Sequence, residues 1–306
     1  MDEALLGAFQ SGERRALARL LTLAAHGQGS EFLYRLPTPA KASRVVAITG
    51  SGGVGKSTLV GKLIEHIRKQ SKSVAVLACD PQSPLSGGAL LGDRFRMPST
   101  PSDGGVFIRS VVAESGQGAL AKYLPQMVRM LESFGFDVVL IETVGAGQGD
   151  TAAHNLADTL VLLLQPETGD DLQWEKAGVL EVADIVVIHK ADLPGADSAA
   201  SQVRTALDLA GVSSVPVLRV SARTGEGVPE LWDAIGRVAA PPHPPLADGQ
   251  ELLRSARDEL ERRFTQAADT PRVKTLLDEW HNGTLSRDMA AASLLRLLSE
   301  LPPVGS

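Results

Sequence analysis

Seven short apolar runs, separated by longer amphipathic stretches, organise the middle of the chain. They are Val45–Thr49, Val74–Cys79, Val106–Arg109, Val138–Glu142, Thr159–Gln165, Ile185–His189 and Val215–Val220. Runs this short and this continuous in Val, Ile and Leu read as strands buried on both faces. Alternation of such strands with amphipathic helices predicts an α/β fold with a mostly parallel sheet covered on both sides. Upstream, Leu17, Leu20, Leu21 and Ala24 recur at helical spacing, and Gly27 and Gly29 end the pattern. Residues 1–40 therefore read as an N-terminal helical extension, with Pro37 and Pro39 marking the passage into a domain over 41–240. Pro241-Pro242-His243-Pro244-Pro245 is a stiff spacer and the clearest boundary. Three helical patterns fill 241–306, the middle one with Val273, Leu276, Leu277 and Trp280 at i, i+3, i+4 and i+7. Gly283 stops it, and Met289 to Leu298 forms the last. So few residues are not expected to hold a core of their own. Their apolar faces should pack on the main domain or on a second copy of the chain.

The chemistry begins where the first strand ends. Gly50-Ser51-Gly52-Gly53-Val54-Gly55-Lys56-Ser57-Thr58 follows an apolar strand and precedes a helix, the context a P-loop needs. Glycines let backbone N–H groups converge on phosphates at a helix N-terminus that already favours anions. Lys56 would neutralise the β- and γ-phosphates, and Ser57 would offer its hydroxyl to Mg²⁺. Asp80 and Glu142 each close an apolar run, and a carboxylate at the C-terminal end of a strand beside the P-loop suits Mg²⁺ or its waters. Gly145 fits a switch whose backbone N–H senses the γ-phosphate.

A second cluster reads the base. His189-Lys190-Ala191-Asp192 follows one buried run, and Ser221-Ala222-Arg223 follows the next. In GTPases an Asn-Lys-x-Asp motif reads guanine, its Asp accepting from the ring N–H and the exocyclic amine. Adenine offers no such donor pair, so Asp192 would select GTP or GDP. The backbone of Ser221 and Ala222 would meet the guanine oxygen. His189 stands where Asn is expected, and an imidazole N–H can still donate a hydrogen bond.

Composition narrows the classes. With 306 residues, the chain is long enough to bury a core without staples. A net charge of −6 argues against nucleic-acid binding, which favours a basic face. Cys79 is the only cysteine, so one chain forms neither a disulfide nor a multi-thiolate metal site. The charged N-terminus does not resemble a signal peptide and no segment is long and apolar enough to span a membrane, so a cytoplasmic protein is expected.

Longer motifs are more specific. Asp80-Pro-Gln-Ser-Pro-Leu-Ser-Gly-Gly-Ala-Leu-Leu-Gly-Asp93-Arg-Phe-Arg-Met97 resembles the first switch of the MeaB/ArgK family. Glu142-Thr-Val-Gly-Ala-Gly-Gln148 is similar to its second switch, and Gln165-Pro-Glu-Thr-Gly-Asp-Asp-Leu-Gln-Trp-Glu-Lys176 to its third. Those proteins are G-protein chaperones of adenosylcobalamin-dependent acyl-CoA mutases. The resemblance implies magnesium and switch roles for Asp80, Asp93 and Glu142, a homodimer formed by the C-terminal arm, and coupling to the mutase through the third switch. Asp170, Asp171 and Lys176 become candidates for completing the site on partner contact, and Gln148 for orienting water. The chain departs from the family pattern at Gln82, at His189, at Trp174-Glu175 and across Val112–Gly118. Alternatives are a nickel-insertion GTPase, an ATPase of the partitioning type, and a kinase linked to amino-acid transport. Nickel insertion normally brings Cys or His clusters, the partitioning ATPases an extra lysine where Ser51 stands, and a kinase an acceptor pocket.

Overall fold

The computed structural model describes residues 3–26, 28, 30–33, 35–39, 41–81, 103–113, 123–143, 155–166, 180, 182–240 and 249–300. Its contacts divide the chain into two compact units, Met1–Pro241 and Pro242–Ser306.

The first unit is a seven-stranded sheet. Its strands are β1 (Arg44–Gly50), β2 (Val74–Pro81), β3 (Val106–Ala113), β4 (Val138–Glu142), β5 (Thr159–Leu164), β6 (Ile185–His189) and β7 (Val217–Val220). They lie in the order β3-β2-β4-β1-β5-β6-β7, and every pairing is parallel. β1 thus sits between β4 and β5, with Val46 paired to Leu140 on one side and to Thr159 on the other. The apolar runs are continuous because both faces are covered. One face is covered by helix α5 (Leu124–Phe134) and by α6 (Ala196–Leu209), whose Met127, Leu131, Ala200 and Val203 belong to the same buried cluster as Val45 and Ala47. On the other, Val46 and Ile48 meet α4 (Lys56–Lys69) through Leu59, Leu63 and Ile67. Leu231, Trp232 and Ile235 of α7 (Val228–Arg237) join them there.

The N-terminal helices share the first of these cores. α1 (Glu3–Gln10) buries Leu5, Leu6 and Phe9, and α2 (Arg14–Ala25) buries Leu17, Leu20, Leu21 and Ala24; α3 (Ser30–Leu33) follows. Phe9 meets Phe134 of α5 edge-on at 5.3 Å between ring centroids. Each fully buried Leu or Phe contributes roughly 1.5–3 kcal/mol, so these helices are a substantial part of the sheet's cover. Arg109 on the edge strand donates to Ala18 O at 3.2 Å and to Thr22 Oγ1 at 3.0 Å, which extends α2's hold to β3. No helix among the described residues is long and apolar enough to cross a membrane.

The second unit holds α8 (Gly249–Ala267), α9 (Pro271–His281) and α10 (Arg287–Ser299). Contrary to the expectation of no core, Ala267, Val273 and Leu298 are buried together, with Phe264, Leu277, Leu294 and Leu297 packed around them. Ser286 caps α10, its Oγ accepting from Met289 N at 3.3 Å. Trp280, Met289 and Leu295 stay outside this cluster at 43%, 60% and 52% exposure.

Candidate nucleotide site

In a parallel sheet, ligands bind beyond the carboxyl ends of the strands. The P-loop leaves β1 at that end. Gly50 has φ +147°, and a Cβ on it would lie 2.5 Å from Leu163 O, so only glycine lets the loop depart this close to β5. Gly55, at φ +103°, opens α4 and supplies no side-chain cap. The first N–H groups of α4 are thereby left for an anion rather than for the chain itself. Lys56 is 8% exposed, and its Nζ donates to Gly50 O at 2.9 Å and Ser51 O at 3.1 Å, so the ammonium lies over the loop.

Ser57 Oγ donates to Glu142 Oε1 at 2.6 Å, with both residues buried. The end of β4 is held against β1 by Thr143 N to Ile48 O, 3.1 Å, and by Thr143 Oγ1 to Thr49 Oγ1, 2.9 Å. A hydroxyl and a carboxylate side by side next to a cationic phosphate loop are hard oxygen donors of the type Mg²⁺ takes. Few protein oxygens are needed, because Mg²⁺ keeps waters and phosphate oxygens as its other ligands. The residues present fit that ion.

Across the cavity, β6 and β7 deliver the base-side loops. Ala191 N donates to Val220 O at 3.1 Å, tying one loop to the other strand. Asp192 accepts from Ser221 Oγ on Oδ1 and pairs through Oδ2 with Arg223 Nη2 at 2.7 Å. The Ser221 hydroxyl, followed by the residue's own backbone N–H and then Arg223, holds this carboxyl below the ordinary aspartate range against a smaller opposing effect of burial. Asp192 is therefore an ionised acceptor at neutral pH. Lys190 sits at φ +57°, a conformation that few residues other than glycine adopt. Its Nζ donates to Gly53 O at 3.1 Å and Gln165 Oε1 at 3.0 Å, bridging the P-loop and the end of β5.

His189 makes a contact that its motif position alone does not announce. Its Nδ1 lies 2.7 Å from Val54 O, and a Cβ on Gly55 would come within 2.6 Å of its ring. The imidazole donation expected toward the base goes to the P-loop backbone. Gly55 and Thr58 from one side, and His189, Lys190, Asp192, Leu193, Ala222 and Arg223 from the other, enclose a cavity of 290 Å³. One end of the sheet therefore brings the N-terminus of α4, the Lys56 ammonium and the Ser57–Glu142 oxygen pair to the P-loop, beside a cavity that Asp192 lines.

The family described as methylmalonyl-CoA mutase-associated GTPase MeaB matches residues 17–258. The chain belongs to the MeaB family. It is a P-loop GTPase and binds guanine nucleotide. A Pyrococcus abyssi protein named as a GTPase is 42% identical over 243 residues, covering 77% of this chain and 75% of that protein. The fused isobutyryl-CoA mutase of Cupriavidus metallidurans is 39% identical over 195 residues, which are 62% of this chain but 18% of that protein. Among solved structures, the LAO/AO transport system kinase shares the fold, with a TM-score of 0.64, 24% identity and 97% of each chain covered.

Within this MeaB-family site the structure brings together Gly50–Thr58, Glu142, His189, Lys190, Asp192, Ser221, Ala222 and Arg223. Asp80 is the penultimate residue of β2, paired with Val112. Asp93, Gln148 and Lys176, with Gly145, Asp170, Asp171 and Trp174, lie outside the described residues. Three contributors escaped the motif reading: Gln165 as partner of Lys190, Leu193 as cavity wall, and the hydroxyl pair Thr49–Thr143. Gln165 and the hydroxyl pair act through contacts distant in sequence, and an apolar residue such as Leu193 after the motif carries no signal of its own.

Proposed function

We propose that this chain is a guanine-nucleotide-dependent chaperone that loads, gates or protects an adenosylcobalamin-dependent acyl-CoA mutase. The observation carrying this reading is the match to a mutase-associated GTPase family over 17–258, joined to likeness with a segment of a fused mutase polypeptide. Fusion holds a GTPase beside its mutase at an effective concentration near millimolar, roughly what a short linker provides. A separate chain must supply the same proximity by docking.

The phosphates lie along Gly50–Thr58, and Lys56 exchanges its two loop carbonyls for β- and γ-phosphate oxygens. Ser57 and Glu142, with Asp80 and Asp93, would hold Mg²⁺, which when bound would neutralise charge on the phosphate oxygens. Asp192 accepts from guanine N1–H and the exocyclic amine once Arg223 yields its place, while Ser221 and Ala222 present backbone N–H groups to O6. Gln148 orients the attacking water. Isolated GTPases without a transition-state arginine are slow, so Lys176, beside Asp170 and Asp171 in the third switch, completes the site when the partner docks. The second unit forms the homodimer contact in this reading, which the exposed Trp280, Met289 and Leu295 support.

Gel filtration of the purified chain with methylmalonyl-, ethylmalonyl-, isobutyryl- and 2-hydroxyisobutyryl-CoA mutases tests the reading. One mutase is expected to co-elute in a manner that differs between GDP and a non-hydrolysable GTP analogue. Co-elution with none, in either nucleotide, would overturn it.

A further inference from the structure

Lys190 reaches out of the base-side loop to two acceptors that belong to different parts of the sheet. Its backbone is in the left-handed region, and its Nζ donates to Gly53 O at 3.1 Å and to Gln165 Oε1 at 3.0 Å. An ammonium only donates, so the amide atom facing it is the oxygen. Gln165 directly follows β5, which is paired to β1 on one side and β6 on the other. Pro166 comes next, and a Cβ on Gly195 would lie 3.8 Å from it, in ordinary contact. Gln165 and Pro166 therefore flank both ends of the loop 190–195 that carries Asp192. The P-loop is held from the same side. Lys190 takes Gly53 O and His189 takes Val54 O, two successive carbonyls on two successive residues. These peptides are trans, and in a trans peptide the N–H points opposite to the C=O. Holding Gly53 O thus directs Val54 N–H, which closes the turn on Ser51 O at 3.3 Å, and holding Val54 O directs Gly55 N–H.

A lysine alone holds such a loop weakly. Its four-carbon stem has many rotamers, and the bond to Gly53 O is exposed. A second acceptor fixed to a central strand removes that freedom before a nucleotide arrives. Gln165 suits this task in charge as well as in reach. A carboxylate there would pair with Lys190 and cancel a positive charge beside the loop that takes phosphates, whereas an amide accepts and stays neutral. We propose that Gln165 is a positioning residue for guanine-nucleotide binding: it holds the Lys190 ammonium on the Gly53 carbonyl, so that the loop carrying Asp192 and the P-loop close on the nucleotide as one unit. Gln165 is not among the residues lining the cavity, and it acts through Lys190, which is. This rests on the reading that Asp192 and Gly50–Thr58 hold the base and the phosphates. The consequence falls on residence time. Without the anchor Lys190 leaves Gly53 O more readily, the two loops part, and the nucleotide departs sooner, while Asp192 still reads the base.

Release of a fluorescent GDP analogue, chased with excess GDP in the presence of Mg²⁺, reads the effect in wild type, Gln165→Met, Lys190→Met and the double variant. Gln165→Asn, whose amide is one methylene short of the ammonium, breaks the same contact in a second way. Gln165→Met and Gln165→Asn should each release the analogue about three- to tenfold faster, roughly what one net hydrogen bond contributes. Lys190→Met should release it at least as fast. Adding Gln165→Met to Lys190→Met should then change the rate by less than about twofold, because the glutamine has nothing left to hold. In steady-state turnover the loss should fall on KM for GTP rather than on kcat, and GDP should stay preferred over ADP as strongly as in wild type. A glutamine that only stabilises the fold would instead lower the melting temperature of the nucleotide-free protein and add its effect to that of Lys190→Met. Additive rates in the cycle, or wild-type release from both Gln165 variants, would overturn the proposal. Wild-type release from Lys190→Met would overturn the reading of the base-side loop as part of the nucleotide site, and this inference with it.

Discussion

Gly55→Ala probes how the P-loop and the base-side strand fit together. The substitution meets two separate obstacles. Gly55 is in the left-handed region at φ +103°, where an L-residue pays about 1–2 kcal/mol. The new methyl would also lie 2.6 Å from His189 Cε1 and 2.7 Å from Nδ1, in a ring already fixed by its bond to Val54. Overpacking of this kind costs about 1–3 kcal/mol, so the variant should lose about 2–5 kcal/mol in all. His189→Ala removes the ring and with it only the second obstacle. In a double-mutant cycle the pair should therefore couple favourably by about 1–3 kcal/mol, while the conformational part persists in either background. Urea unfolding of the four proteins without nucleotide, followed by circular dichroism, gives all the terms. Strict additivity, or a loss under about 0.5 kcal/mol in Gly55→Ala, would refute the interlock between Gly55 and His189.

Asp192→Asn replaces an acceptor by a side chain that also donates, which suits the C2 carbonyl of xanthine; competition binding should show preference moving from GTP to XTP, and retained GTP preference would contradict the assigned role. Asp137 accepts from Ser73 N at 2.8 Å and Ser73 Oγ at 2.9 Å, and these bonds, led by the backbone one, hold its carboxyl below the ordinary range despite partial burial. Asp137→Asn should cost about 1–2 kcal/mol near neutrality. That difference is present above the unfolded-state carboxylate value and should vanish as pH falls through the lower folded one, as denaturation across pH 2–7 would reveal. Light scattering should report a dimer at micromolar concentration, and Trp280→Glu should shift it toward monomer; a monomeric wild type would remove the arm's proposed role.

Much of this architecture is legible from the apolar runs. All seven correspond to strands because a parallel sheet covered on both faces leaves no position for polar alternation. β3 runs on to Ala113, beyond the expected Arg109, because it is an edge strand whose polar Arg109 is taken up by α2. α1 carries only three buried residues and is too short for its period to stand out. The P-loop and the Asp192 and Ser221 loops were recognisable because phosphate and base recognition need particular residues at local spacing. The link from His189 to Val54 was not, since it joins positions 135 residues apart. The small core of the second unit was missed for a related reason, as Ala267 and Leu298 come from different helices, each with a weak stripe.

Steady-state GTP turnover with the cognate mutase titrated in reads out whether a partner mutase completes a slow GTP site. Wild type should accelerate with saturation, and Lys176→Ala should keep slow basal turnover while losing most of that stimulation. Turnover indifferent to every candidate mutase, or full stimulation of Lys176→Ala, would rule out completion of the site by a docked mutase.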